Sequence, residues 1–259
     1  MSSSAETIAA DRGFDPDQLR ARYREERNRR LRPDGNQQYL AMSGELGHYV
    51  EDPYVEDAIV REPLKDEVEV VLIGGGFGGL IAGARLRQAG FSDIRIIEKG
   101  ADFGGTWYWN RYPGAQCDIE AYVYLPLLEE LGYMPREKYA HQPEIQHHAT
   151  AIARKFGLYD NACFQTQVTA MAWQEDSHHW LLITDRGDVI KARYVLMSTG
   201  PLNRPKLPGI AGVETFQGHA FHTSRWDYDY TGGNSSGGLD NLADKRVAVI
   251  GTGATAVQC

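Results

Sequence analysis

Four stretches of this 259-residue sequence carry residue types whose order could do chemistry. The first is Gly74-Gly75-Gly76-Phe77-Gly78-Gly79, which fills G-x-G-x-x-G at Gly74, Gly76 and Gly79, with Phe77 and Gly78 between the last two glycines. In a nucleotide-binding turn, the first glycine makes the tight turn and the second lets the backbone approach a pyrophosphate. The third lets the helix pack closely on the strand. Glu98 follows Gly79 by 19 positions, placed to accept hydrogen bonds from the ribose hydroxyls of an adenosine. An acid there disfavours a 2′-phosphate, so this turn should hold FAD or NAD rather than NADP. The competing reading is a plain glycine-rich turn with a surface glutamate.

The second stretch, Val247 to Ile250 followed by Gly251-Thr252-Gly253-Ala254-Thr255-Ala256, reads as a strand and G-x-G-x-x-A, with Ala256 as the accepted variant of the last glycine. A βαβ unit takes about thirty or more residues, and three follow Ala256. The expectation is a truncated chain. The third stretch is Gly104-Gly105-Thr106-Trp107-Tyr108-Trp109-Asn110-Arg111-Tyr112-Pro113-Gly114, continuing to Cys117-Asp118. No regular element needs three aromatics and paired glycines in this order, although an aromatic core loop would also contain them. The fourth is Phe216-Gln217-Gly218-His219-Ala220-Phe221-His222-Thr223-Ser224-Arg225-Trp226-Asp227. A lone histidine such as His222 is more often a satisfied structural residue than a ligand.

Other chemistries find little support. His147-His148 and His178-His179 are adjacent pairs, and adjacent residues do not share a helix or strand face. No Cys/His cluster has metal-ligand spacing, and no G-x-S-x-G nucleophile motif is present. A formal net charge of -8 argues against nucleic acid as the partner, since phosphate neutralisation needs clustered Lys and Arg. It leaves phosphate-bearing cofactors open, because helix N-termini hold these through backbone N–H groups. Cys117, Cys163 and Cys259 are too widely spaced for a disulfide framework, which fits a reducing compartment. The start, Met-Ser-Ser-Ser-Ala-Glu-Thr, lacks the order of a signal peptide. The longest uncharged apolar stretch, Val70 to Ala84, is too short and glycine-rich for a membrane span. The default is a cytoplasmic protein.

Several elements must position these stretches. Asp15 to Leu31 is arginine-rich, with Phe14, Leu19, Tyr23 and Leu31 as its few apolar anchors, and predicts a helix that docks on the main body and ends before Pro33-Asp34-Gly35. Val68 to Ile73 predicts a buried parallel strand, Leu80 to Ala89 a helix and Ile94 to Ile97 a second strand, the start of a doubly wound fold. Pro143 to Phe156 predicts a helix with proline in its first turn. From Cys163 to Lys191 the alternating apolar residues predict a small antiparallel meander, with breaks at Asp176-Ser177 and Arg186-Gly187. Tyr194 to Met197 and Arg246 to Ile250 predict further strands. The expected fold is α/β, Rossmann-like and three-layered, with two dinucleotide-binding domains. Residues 1–66 would be a partly helical extension, 67–230 the first dinucleotide-binding domain, and 231–259 a linker and the start of the second.

The third and fourth stretches resemble those of the Baeyer–Villiger monooxygenases. The resemblance covers roughly Val68 to Cys259 and implies a flavoprotein, with 67–230 as an FAD-binding domain and 231–259 as a linker and the start of an NADP-binding domain. The fourth stretch matches the family fingerprint F-x-G-x-x-x-H-x-x-x-W-[P/D] at Phe216, Gly218, His222, Trp226 and Asp227. Relatives that oxidise nitrogen or sulfur usually carry a different aromatic at the Trp226 position. That class, and a non-catalytic FAD-binding fragment, are the alternatives; a disulfide oxidoreductase would need a close cysteine pair. The resemblance implies that Gly105, Thr106 and Trp107 contact FAD and that Tyr124 and Asp118 lie beside the flavin. Asp118 would be a buried carboxylate supporting a catalytic arginine located beyond Cys259. It also implies that Gly251 to Ala256 bind NADPH and that His222 and Trp226 serve a linker hinge. The family often has a basic residue at the position of Gln116, where this sequence departs from it. The implied reaction uses NADPH and O₂, through a C4a-peroxyflavin, to convert ketones to esters or lactones. The long N-terminal extension and the loop Asp227 to Asp244 are similar to the subgroup that accepts large or cyclic ketones.

Overall fold

A computed structural model of the chain describes residues 13–40, 42–55 and 57–259. The N-terminal segment inspected above for a signal peptide lies outside the described residues. The chain divides into two compact units.

The smaller unit gathers the described residues up to Leu40 with Lys206–Phe216. Helix α1 (Pro16–Arg30) begins where the Asp15 side chain caps the amides of Asp17 and Gln18 and where proline enters at the first turn. Asp17 in the first turn and Arg27, Arg29 and Arg30 in the last complement the helix dipole. Pairs such as Arg29–Glu25 at 2.6 Å and Arg30–Glu26 at 3.1 Å line its surface. Helix α1 buries none of its side chains, and Phe14, Leu19, Tyr23 and Leu31 are exposed. With so few apolar residues among its charges, the helix has no stripe to bury. A two-residue strand β1 (Tyr39–Leu40) completes the unit by pairing antiparallel with Leu207–Pro208.

The larger unit, Met42–Pro205 with Gln217–Cys259, is built on one six-stranded sheet. Strand β2 (Lys65–Ile73) leads into helix α2 (Phe77–Gln88) and strand β3 (Ile94–Ile97). Short helices α3 (Thr106–Trp109), α4 (Ala121–Tyr124) and α5 (Leu128–Leu131) precede helix α6 (Gln142–Lys155). Strands β4 (Ala162–Cys163), β5 (Val168–Gln174), β6 (His179–Thr184) and β7 (Val189–Met197) follow. The sheet order is β4-β3-β2-β7-β6-β5. The pairs β4–β3, β3–β2 and β2–β7 are parallel, while β7–β6 and β6–β5 are antiparallel.

Alternation along β2 sets the layers. Val70 and Leu72 pack with Leu80 and Ala84 of α2 and Ile152 of α6, while Val71 between them packs with Leu182, Ile190 and Ala192 of the meander. The order of strand, turn, helix and strand is therefore as read from the sequence. Two boundaries differ. Cys163 belongs to β4 and pairs in parallel with Ile97, so the meander starts only at Val168. Tyr194 to Met197 is the second half of one long strand, β7, whose first half closes the meander and whose second half pairs with Val70–Ile73.

One expected strand is not formed. Arg246 to Ile250 runs without a strand partner among the described residues, and Val247, Val249 and Ile250 are exposed. A β-branched run becomes a strand only when a neighbour takes up its backbone N–H and C=O groups.

Candidate functional site

The carboxyl ends of β2, β3 and β7 open on one cleft of about 360 Å³. Open α/β sheets hold ligands at this end, where connections leave in opposite directions. Gly74 turns the chain out of β2 at φ +111°, and a Cβ there would stand 2.3 Å from the Ser198 carbonyl oxygen at the end of β7. Only glycine accepts both the angle and the approach. Gly76 then meets Gly105 backbone to backbone: a Cβ on Gly105, at φ +55°, would lie 2.6 Å from the Gly76 Cα. The Gly104 amide donates to the Gly75 carbonyl at 2.9 Å, lacing the two loops together. No side chain caps the start of α2, and Gly76, Phe77 and Gly78 line the cleft. A helix start of this kind offers unpaired N–H groups and positive dipole to a phosphate.

Glu98, at the end of β3, is buried and lines the same cleft. Its two carboxylate oxygens accept from the amides of Gly75 at 2.5 Å and Gly100 at 2.6 Å. Burial pushes its pKa above the ordinary glutamate value, against the two amide bonds and Lys99, which pull it down. The carboxylate is thus fixed by the glycine turn itself, with lone pairs left for a ligand hydroxyl.

The opposite wall comes from the aromatic stretch. Gly105, Thr106, Trp107, Trp109 and Tyr124 all line the cleft. Trp107 is buried; its indole N–H donates to the Tyr124 hydroxyl at 2.8 Å, and its carbonyl accepts from the Gln142 side chain of α6 at 2.6 Å. Phe77 packs edge-on against Tyr124 at 5.7 Å. Burial raises the Tyr124 pKa, which keeps the phenol protonated. The wall is therefore apolar on its face and hydrogen-bonded behind it, the usual make-up of a small-molecule site.

The structure brings together Gly74, Gly76, Phe77, Gly78, Glu98, Gly105, Thr106, Trp107 and Tyr124 around one cleft. It leaves Asp118 outside. That carboxylate was expected to be buried and paired; it is exposed and has no ion pair among the described residues. The physical reason is its place in an irregular turn between Cys117, which faces inward, and Ile119, which faces solvent. The second glycine turn also lies outside the lining. Gly251 takes φ +140° and Gly253 opens a short helix, Ala254–Gln258. This helix is tied to the loop after the aromatic stretch by Tyr112 to Gln258 at 2.6 Å and Gln258 to the Gln116 carbonyl at 3.0 Å.

None of the residues of the fourth stretch lines the cleft. Phe216 and Gly218 are exposed. The His222 ring accepts from the Ser224 amide at 3.1 Å, and its pKa falls to about 4 through burial and the nearby Arg225, so it is neutral. Trp226 is buried against Tyr112 and Ala115, with its N–H on the Thr231 hydroxyl at 3.1 Å. Asp227 caps the helical turn Tyr228–Thr231 through the Tyr230 amide at 2.9 Å and pairs with His219 at 2.8 Å.

Reading the sequence missed Lys99, Trp109, Thr166–Val168, Ser198–Gly200 and Leu202–Arg204 as cleft residues. Ser198-Thr199-Gly200 could have been found, since any segment leaving a strand paired in parallel with β2 must emerge beside its glycine turn. Lys99 and Trp109 sit beside residues already singled out, Glu98 and Trp107, while the rest come from segments whose path no local pattern dictates.

Two parallel strands joined by a helix, a glycine turn and a fixed acid define a dinucleotide-binding oxidoreductase fold. Residues 71–259 match the model of the pyridine nucleotide-disulphide oxidoreductase family, and the chain belongs to that family. It is 58% identical over 240 residues to a Baeyer-Villiger monooxygenase of Streptomyces coelicolor, covering 93% of this chain and 40% of the relative. The polycyclic ketone monooxygenase from Thermothelomyces thermophila superposes with a TM-score of 0.86 at 40% identity, over 93% of this chain and 42% of that one. A crystal structure of OTEMO complexed with FAD and NADP matches at a TM-score of 0.66 and 36% identity, over 74% of this chain and 35% of that one. The resemblance read from the sequence is thus the one the comparisons find. The chain spans about 40% of the length of the curated relatives it matches. Cys117, Cys163 and Cys259 are all free. No helix among the described residues is long and apolar enough to cross a membrane.

Proposed function

We propose that this chain is the FAD-binding part of a flavoprotein monooxygenase that inserts oxygen into ketones, using NADPH and O₂. The observation that supports it most is the cleft where Gly76 and Gly105 meet backbone to backbone beside the buried Glu98. An extended dinucleotide fits that combination: bare backbone and a helix start for its pyrophosphate, a fixed carboxylate for its ribose, and an aromatic wall for its ring.

When bound, FAD supplies the electron transfer and oxygen activation. The chain's own residues hold and shield it. Gly74, Gly76 and Gly79 admit the pyrophosphate and the packing of α2, with Phe77 and Gly78 at the helix start. Glu98 accepts from the ribose; Gly105, Thr106, Trp107 and Tyr124 form the wall that keeps water off the ring. In this reading 67–230 is the FAD-binding domain and 1–66 an extension. Residues 231–259 open the NADP-binding domain, whose glycine turn is Gly251 to Ala256. The fingerprint residues Phe216, Gly218, His222, Trp226 and Asp227 form a linker between the two. Asp118 is a supporting carboxylate whose pairing cation is supplied by none of the described residues. The substrate class is a bulky or cyclic ketone, in keeping with the relatives' names. Three free thiols fit a cytoplasmic enzyme.

Titration of the chain with FAD tests the reading. Saturable quenching of flavin fluorescence at one equivalent is the expected result; a folded chain that leaves FAD fluorescence unchanged overturns it. The ketone half is tested on the chain joined to the remaining length its relatives have: NADPH consumption that rises with a cyclic ketone and yields a lactone supports it. Release of hydrogen peroxide alone, whatever ketone is offered, overturns it.

A further inference from the structure

Arg225 is a buried guanidinium with no ion pair among the described residues. Its N–H groups go instead to three carbonyls on separate segments: Nε to Glu51 at 2.9 Å, Nη1 to Ser224 at 2.8 Å and Nη2 to Asn203 at 3.0 Å. Its flat face lies 3.9 Å from the centre of the Trp109 ring. Trp109 and Asn203 both line the cleft. A second set of contacts converges on the same place. The Tyr108 hydroxyl donates to Asp52 at 2.6 Å, and Arg111 stacks between Tyr54 at 4.2 Å and Tyr108 at 4.6 Å.

A buried cation spent on carbonyls is costly to keep unless its directional bonds are needed. Arg offers five donors in a rigid plane, which a lysine cannot reproduce. Asp52, whose charge acts on Arg225, is engaged by Tyr108, and burial pulls the Arg225 pKa down. Nothing about the arrangement suggests a stabilising ion pair. It does suggest a clamp that sets where two stretches of cleft wall stand.

We propose that Arg225 is a positioning residue: it ties the Glu51–Tyr54 turn, the Trp109 wall and the Asn203 wall into one rigid corner, and so shapes the cleft for its dinucleotide. This rests on the cleft's assignment to FAD. The planar fork, rather than the charge alone, does the work.

The test compares wild type, R225K and R225A by hydrogen–deuterium exchange of the ligand-free chain and by FAD titration. The expected result for R225K is faster exchange at Glu51–Tyr54, at 107–111 and at 202–204, with β2, β3 and β7 still protected. FAD affinity should fall about tenfold or more, as loss of a charged hydrogen bond implies. In R225A, low-millimolar guanidinium should restore affinity where equal sodium chloride does not. Wild-type exchange in R225K overturns the proposal whatever FAD does, as does exposure of the whole sheet. Faster exchange with unchanged FAD affinity overturns the link to the cleft. A wild-type chain that binds no FAD overturns the cofactor reading itself, a result distinct from these.

Discussion

Glu98 has to be charged to serve a ribose, yet burial favours its neutral form. Its pKa is raised, so acidification protonates it before an ordinary glutamate titrates. FAD binding to the chain should therefore weaken as pH falls through a midpoint above the usual glutamate range, and titrations at a series of pH values will show it. In E98Q the amide keeps an acceptor oxygen but replaces the second with a donor aimed at a backbone N–H. We expect FAD affinity to fall about tenfold to a hundredfold, with the acid dependence abolished. The two roles of this residue, in the turn and toward the ligand, were only half legible. Spacing from Gly79 located the acid, but its bonds to Gly75 and Gly100 depend on how the loops close. Asp118 shows the opposite case, a residue named by its motif whose burial the motif could not fix.

Among the elements, the long strand β7 has a partner that the sequence hides. Asp188, at its entrance, is fully buried and accepts both guanidinium nitrogens of Arg61, at 2.6 and 2.7 Å, plus the Leu64 amide and the Thr184 hydroxyl. Arg61 holds the carboxyl well below the usual range. A lowered folded pKa means stability that is present above the unfolded value near 4 and lost as pH falls below it. Acid denaturation should thus detach the 57–64 segment. D188N leaves Arg61 half-buried without its counter-ion, and we expect about 3–5 kcal/mol of destabilisation in urea unfolding. Helix α2 was readable from its composition after a glycine turn, the strands around it from their β-branched runs, and the meander from its alternation. The 42–66 stretch was not, because side-chain bonds to distant residues hold it in place. Arg246 to Ile250 misled for a related reason: its composition is that of a strand, but composition carries no information on whether a neighbour is there to pair.

For the molecule as a whole, the cleft proposed for FAD is assembled, whereas Gly251 to Ala256 follow a segment that pairs with no strand among the described residues. The chain alone should bind FAD yet show no NADPH-dependent ketone oxidation; detecting lactone from the 259-residue polypeptide would contradict this. The meeting of Gly76 and Gly105 has a consequence for variation. The two lie 29 positions apart in sequence, and the contact is one-sided: a Cβ on Gly105 would stand 2.6 Å from the Gly76 Cα, whereas one on Gly76 would stand 3.3 Å from the Gly105 Cα, which a shift of a few tenths of an ångström relieves. G105A should lose FAD binding and destabilise the fold, and adding G76A should not rescue it, while G76A alone should be much the milder change. In a library of all single and paired substitutions, the Gly105 column would stay empty whatever stands at 76: a site that cannot drift leaves no trace of its contact in covariation.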